Sequence, residues 1–142
     1  MTNRPKAIGT QAESALVRYA RANGFPNAER LVLHGAADQG DVRLCGRFDD
    51  WGQYDTIIVE VKAGHAAEQA SDAQIERWLA ETERERVNAG AQEALLVTKR
   101  KGHGKPNGWW VHWHNGYHPC RARLDDVLAM LRADGYGTEE AA

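Results

Sequence analysis

Residues 56–62 of the chain read TIIVEVK and form the strongest strand signal in the sequence. The stretch is rich in β-branched residues, which favour strands, and its charges come only at the end. Because strand side chains alternate, Glu60 and Lys62 should point to one face, and Val59 and Val61 to the other. Two charges on one face of an apolar strand are costly to bury unless they are paired or bind a metal. The stretch therefore predicts a central strand that ends either in a charged site or in an exposed ion pair.

The segments around this strand predict a single sheet with helices packed on it. The predicted helices cover residues 10–23, 71–89 and 124–131, and the other predicted strands cover residues 30–33, 41–44, 94–98 and 109–114. Residues 47–54 read as a hairpin connection between two strands. The resulting order, α-β-β-β-α-β-β-α, is typical of an α/β fold in which a central mixed β-sheet is flanked by helices.

Two helix starts carry capping signals. Thr10 with Glu13 three residues later matches a capping box at the start of the first helix. Ser71 is a good N-cap for the long helix, whose inward stripe is expected to consist of Ile75, Trp78, Leu79 and Thr82. The second half of that helix, residues 81–86 (ETERER), is strongly charged and is expected to be solvated.

Composition limits the class of protein. The chain has 142 residues, with 18 lysines and arginines against 20 aspartates and glutamates. This length fits one domain spanning residues 1–142, with a C-terminal strand and helix at 109–133 and a frayed tail at 136–142. We expect no membrane association, because no apolar run approaches the roughly 18 residues that span a bilayer. Two cysteines are too few for a disulfide framework, so a cytoplasmic location is the expectation.

Acidic residues accompany the central strand at positions that could meet it. Asp41 opens a short strand after Gly40, and carboxylates from two neighbouring strands can converge on Mg²⁺. Asp55 is the competing candidate, but its odd separation from Glu60 places it on the opposite face of the strand. Glu13 lies near the inner face of the first helix, either as a functional carboxylate or as the capping-box partner of Thr10.

The order of these elements resembles the PD-(D/E)XK nuclease superfamily, most closely its Holliday-junction-resolvase-like branch from archaea and phages. The resemblance covers residues 9 to about 101. Its motifs are GTQAE at 9–13, the loop GAADQGD at 35–41, Gly40-Asp41-Val42, and Val59-Glu60-Val61-Lys62. The strict Pro-Asp dipeptide of the superfamily is absent, since Gly40 stands where the proline would be.

The resemblance implies a restriction-endonuclease-like core and a metal-dependent DNA endonuclease. Asp41, Glu60 and the backbone carbonyl of Val61 would hold Mg²⁺ or Mn²⁺, and Glu13 would contact the metal's water shell or a second ion. Lys62 would orient or help deprotonate the attacking water. The implied substrate is branched DNA, above all the four-way junction, cut by a homodimer. A restriction- or repair-type nuclease with the same core, and a non-catalytic DNA-binding or assembly module, are the alternatives.

Three further features lie outside these motifs. A basic loop could bind DNA phosphates or could simply be solvated, and its candidate residues, with Arg43, are Lys99, Arg100, Lys101 and Lys105. The pattern His112, His114, His118, Cys120 could bind zinc, but surface or packed histidines are the simpler interpretation. Trp109, Trp110 and Trp113 could stack on bases, complete the core or, with the final helix (Leu124, Val127, Leu128, Leu131), form a dimer interface.

Overall fold

A six-stranded open sheet forms the centre of the protein. The computed structural model describes residues 4–31, 40–48 and 54–137. The strands are β1 (Glu29–Arg30), β2 (Val42–Phe48), β3 (Tyr54–Lys62), β4 (Glu93–Thr98), β5 (Trp110–His114) and β6 (Pro119–Arg123). They lie in chain order, and every neighbouring pair is antiparallel except β3 and β4, which are parallel. The prediction of an α/β fold with a central mixed sheet flanked by helices is confirmed.

The helices are α1 (Arg4–Ala22), α2 (His65–Glu68), α3 (Asp72–Ala89) and α4 (Leu124–Ala133). The parallel pair β3 and β4 is joined through α2 and α3, as parallel strands require a crossover connection. Helix α2 and strand β6 were not predicted, because four residues show no helical period and the β6 sequence PCRAR lacks β-branched residues. Within the described ranges, no helix is long and apolar enough to cross a lipid bilayer.

The two faces of β3 serve different purposes, as its alternation predicts. Ile57, Val59 and Val61 belong to the main hydrophobic core, which also contains Leu16 of α1 and Leu128 of α4. Helix α3 packs on the strands β3, β4 and β5 and leaves its own buried residues outside that core cluster. The apolar face of β3 therefore anchors the strand, while its other face carries the charged residues of the candidate site.

Helix α1 begins at Arg4, six residues before the predicted start. Pro5 lies in its first turn, where the missing N–H costs nothing, so this proline is a signal for the earlier start. Thr10 is inside the helix, so the capping box with Glu13 is wrong. The N-cap of α3 is confirmed, since the Ser71 side chain accepts a hydrogen bond from the Gln74 N–H at 3.2 Å.

The predicted tail is wrong at its first residue. Tyr136 is 7% exposed and belongs to the hydrophobic core, because the chain turns back after α4 and the Tyr136 N–H donates to the Leu131 carbonyl at 3.0 Å. Of the strand predicted at 30–33, the described part of the chain shows β1 at Glu29–Arg30. Its last residues, most of the loop at 35–41, the centre of the predicted hairpin connection and the tail at 138–142 lie outside the described residues.

Candidate active site

Asp41 is held beside the carboxyl end of β3. Strand β2 begins at Val42, which pairs with Val59 of β3. Asp41 directly precedes β2, and its N–H donates to the Val59 carbonyl at 3.1 Å. The Asp41 carboxylate then accepts a hydrogen bond from the Val61 N–H at 2.8 Å. Gly40 has a φ of 95°, which proline cannot adopt, so glycine is the residue that this backbone requires before Asp41.

Glu60 is the most deeply buried acidic residue of the site, with 6% of its surface exposed. Burial, followed by contact with the Glu85 carboxyl, raises the pKa of Glu60 to about 8. Burial and the charge of Glu60 likewise raise the pKa of Asp41 to about 7. The Oε2 atom of Glu60 is buried and receives no hydrogen bond from any described residue. The two carboxyls therefore form a centre that favours a proton or a cation.

Lys62 lies on the same face as Glu60, as the strand alternation predicts. Its Nζ is 3.5 Å from Glu60 Oε1 and 3.3 Å from Glu81 Oε2, and it lies 5.5 Å from the ring centroid of Trp78. Burial lowers the pKa of Lys62, but the carboxylates of Glu60 and Glu81 outweigh burial and leave that pKa above its ordinary value. Lys62 is accordingly a fixed positive charge beside Glu60.

Glu13 is close enough to Asp41 for the two charges to interact, but its carboxylate is engaged elsewhere. Its carboxylate forms an ion pair with Arg30 of β1 at 3.3 Å. Burial and then the charge of Asp41 raise the pKa of Glu13, while Arg30 opposes this shift. The structure thus brings Glu13 to the Asp41 side of the centre, where its charge is shared between the acidic site and Arg30.

Two acidic residues of α3, Glu81 and Glu85, complete the centre and were not predicted. Glu85 is 7% exposed and contacts Glu60, so the expectation that residues 81–86 are solvated is wrong for Glu85. Thr82 is 3% exposed and its hydroxyl donates to the Trp78 carbonyl, which confirms its predicted place on the inward stripe. The signal was available, because the inward stripe of α3 reaches Glu85 three residues after Thr82.

The donor set suits a hard divalent cation. The N–H and C=O of a strand residue point to the same side, so the Val61 carbonyl faces the edge where its N–H meets Asp41. Carboxylate and carbonyl oxygens are the ligands that Mg²⁺ prefers, and it commonly uses one or two carboxylates with waters. Among the described residues, no group of three or more His, Cys, Asp or Glu side chains forms a ready-made metal site. The fit rests on Asp41, Glu60 and this carbonyl.

The predicted DNA-binding residues are divided between different surfaces. Lys99, Arg100 and Lys101 line a cavity of about 480 Å³ on the α3 face of the sheet. Lys105 instead lines a cleft against α1, together with Arg18 and Tyr19. Arg43 forms an ion pair with Glu29 of β1. The basic run therefore has one compact part, at residues 99–101.

The C-terminal histidines do not come together. The His112 ring is buried and hydrogen-bonds Thr98 Oγ1 at 2.7 Å, while His114 Nε2 lies 3.3 Å from Glu76 Oε1. The Cys120 Sγ is 3.9 Å from the His118 ring. These separate partners agree with packed and surface histidines, the simpler interpretation of the pattern.

The three tryptophans have separate environments. Trp109 is fully buried, and its Nε1–H donates to the His103 carbonyl at 2.7 Å. Leu124 and Leu128 of α4 are also buried within one copy. For Trp109, Leu124 and Leu128 the structure favours the alternative that they complete the core, and the dimer interface stays a prediction. Trp113 is exposed, and Trp110 faces the basic cavity.

Comparison with known proteins identifies no relative. No family model, no curated protein and no solved structure matches the chain.

Proposed function

We propose that the protein is a metal-dependent DNA endonuclease with a restriction-endonuclease-like core, acting on branched DNA such as the four-way junction. The observation that carries the proposal is the meeting of Asp41, Glu60 and Lys62 at the carboxyl end of β3, in the order and spacing of the PD-(D/E)XK motifs. The buried Glu60 Oε2, which lacks a donor among the described residues, supports a cation at this point.

The residues would divide the chemistry as follows. Asp41, Glu60 and the Val61 carbonyl would hold Mg²⁺ or Mn²⁺, which when bound polarises the scissile phosphate and lowers the pKa of a coordinated water. Lys62 would orient the attacking water and offset the negative charge that develops on the phosphate. The neighbouring carboxylates raise the pKa of Lys62, which supports the electrostatic role, and help in deprotonating the water is its alternative role. Glu13 would orient waters on the Asp41 side.

We also propose that two copies act together. A four-way junction has two-fold symmetry, and its resolution needs paired cuts on opposing strands. The described residues of one chain form one acidic centre, and two-fold dimers are the commonest soluble oligomers. Sedimentation velocity at micromolar concentration, with and without junction DNA, tests this point. A strict monomer that binds one per junction would contradict the resolvase function and leave a nuclease that nicks one strand.

The activity is tested on synthetic DNA substrates of matched sequence: a four-way junction, a flap, a linear duplex and a single strand. Each is incubated with the protein in Mg²⁺, Mn²⁺ or EDTA, and Glu60→Gln purified in parallel controls for contaminating nucleases. We expect cleavage of the junction with either metal and none in EDTA.

The other outcomes separate the alternatives. Preferential cutting of the linear duplex would favour a restriction- or repair-type nuclease. Tight DNA binding without cleavage in either metal would indicate a non-catalytic DNA-binding or assembly module. Equal cleavage by wild type and Glu60→Gln would remove the acidic centre from the mechanism.

A further inference from the structure

The polar cavity lined by residues 99–101 lies beside the acidic centre on the same face of the sheet. It has a volume of about 480 Å³ and lies between the start of α3 and the strands β4, β5 and β6. The strand register places Lys62 opposite Thr98, and Thr98 opposite Trp110. Neighbouring strands are about 4.8 Å apart, so Trp110 lies about 10 Å across the sheet from Lys62.

Two arginines are stacked against one aromatic ring in this cavity. The guanidinium carbons of Arg100 and Arg121 lie 4.2 and 4.1 Å from the ring centroid of Trp110. Arg100 also donates to the Gly108 carbonyl at 3.1 Å. Stacking restrains a guanidinium plane while leaving N–H groups at its edge for other partners, and this fork matches a phosphate. The ring therefore pre-organises two anion-binding groups.

The charges of the cavity also favour an anion. Four cationic residues line it (Lys99, Arg100, Lys101 and Arg121) against two carboxylates (Glu68 and Asp72). His112, which also lines the cavity, is uncharged at neutral pH, since burial and then the charge of Arg121 lower its pKa to about 4. Neutral His112 and Thr98 satisfy each other by their hydrogen bond. The excess positive charge is thus concentrated at the arginines and lysines.

We propose that this cavity binds a backbone phosphate of the DNA substrate, with the guanidinium groups of Arg100 and Arg121 as its ligands. The inference rests on the proposed function and names a binding subsite for its substrate. The spacing supports a strand that passes both sites, because about 10 Å corresponds to about three nucleotides at about 3.4 Å each. Trp110 acts as a positioning residue for the two arginines.

The test measures DNA binding separately from cleavage. Fluorescence anisotropy of a labelled four-way junction and a labelled duplex is followed in EDTA, between 50 and 300 mM salt. The variants are Arg100→Gln, Arg121→Gln and the double substitution. Arg123→Gln is the matched control, because Arg123 lies on the same strand and loses the same charge but pairs with Asp125 at 2.7 Å.

We expect each cavity variant to weaken binding about tenfold and to reduce the slope of log K against log salt by about one, as for a lost phosphate contact. The double variant should reduce the slope by about two, and Arg123→Gln should leave it unchanged. Thermal melting of every variant shows whether it is folded. Arg121→Gln keeps the test valid if Arg100→Gln is unstable, because Arg121 lies on the exposed edge strand.

Four results separate the inference from the proposed function. If the cavity variants kept the salt slope of wild type while the protein still cleaved the junction, only the inference would be overturned, and the proposed function would stand. A reduced salt slope in the cavity variants, with no DNA cleavage by wild type, would support the subsite and contradict the proposed nuclease function. If Arg123→Gln changed the salt slope as much as the cavity variants do, the effect would come from overall charge and not from the cavity, which would overturn the inference. Tight binding of inorganic phosphate with unchanged DNA slopes would make it a free-anion site, which also overturns it.

Discussion

Asp41 and Glu60 are the residues whose chemistry is most constrained by their surroundings. Asp41→Asn and Glu60→Gln keep the shape of each side chain but remove a negative metal ligand. We expect both variants to lose cleavage by at least about 10²-fold, while DNA binding in EDTA remains close to that of wild type. In Asp41→Asn the amide oxygen can still accept from the Val61 N–H, so the local backbone should persist.

A metal-dependent stability measurement provides a readout that does not require activity. A cation that binds only the folded protein stabilises it by mass action, so Mg²⁺ should raise the melting temperature of wild type and not of Glu60→Gln. A variant that melts like wild type and also cuts at the wild-type rate would contradict the assignment of that residue.

The raised pKa values of the two carboxyls predict a pH dependence of stability without metal. The pKa of Asp41 moves from 3.8 to about 7, and that of Glu60 from 4.5 to about 8. Between these limits the folded state binds more protons than the unfolded state, so the free energy of unfolding falls as pH rises from about 4 to about 8.

Glu60→Gln should remove part of the fall in the free energy of unfolding between about pH 4 and about pH 8. At pH 8 in EDTA the variant should therefore be more stable than wild type by about 1–3 kcal/mol. Urea denaturation at pH 5 and pH 8 measures the difference. If the free energy of unfolding changed equally with pH in the two proteins, the titration of Glu60 would not be the cause of the pH dependence.

Lys62 should separate metal binding from catalysis. Lys62→Ala removes the charge beside Glu60, and we expect cleavage to fall about 10²–10³-fold. A protonated amine has no lone pair for a metal, so calorimetric Mn²⁺ titration should still show binding. Lys6→Ala, an exposed lysine on α1, is the control for loss of one positive charge. Wild-type turnover by Lys62→Ala would exclude this residue from the mechanism.

Helix α3 supports the site from one face, and its start is a separate determinant of stability. It carries Glu81 and Glu85 to β3, and its first turn is capped by the Ser71 side chain. Ser71→Ala should lower the free energy of unfolding by about 1 kcal/mol, because one N–H of the first turn loses its acceptor. Ser71→Asp should retain most of the stability, since aspartate is an equally good cap. Equal denaturation midpoints for the alanine variant and wild type would show that the cap does not contribute.

Trp109 connects the sheet with α4 and tests how the whole molecule holds together. It is fully buried, and its backbone carbonyl accepts the Leu124 N–H at 2.8 Å where α4 begins. Trp109→Ala should cost about 3–5 kcal/mol and leave the protein largely unfolded. Trp113→Ala, at an exposed position on the adjoining strand β5, should cost less than about 1 kcal/mol. Similar losses in the two variants, measured by chemical denaturation, would contradict the assignment of Trp109 to the monomer core.

Much of the architecture follows from local sequence patterns. The composition of residues 56–62 predicts β3, and its period of two predicts that Glu60 and Lys62 share a face, which their 3.5 Å ion pair confirms. The Ser71 cap and the apolar period predict α3 to within one residue of its start. These features depend on neighbours within a few positions along the chain, so a single sequence carries them.

The composition of the acidic centre depends on distances that no local pattern contains. Asp41 reaches the Val61 N–H because the first residue of β2, Val42, pairs with Val59 and leaves the last residues of β3 without a partner on β2. This arrangement is a property of strand register. Glu85 belongs to a segment that reads as solvated, and its burial results from the packing of α3 on the sheet. Tyr136 and Arg121 acquire their roles in the same way, since side chains far apart in sequence become neighbours only when the sheet and helices have packed.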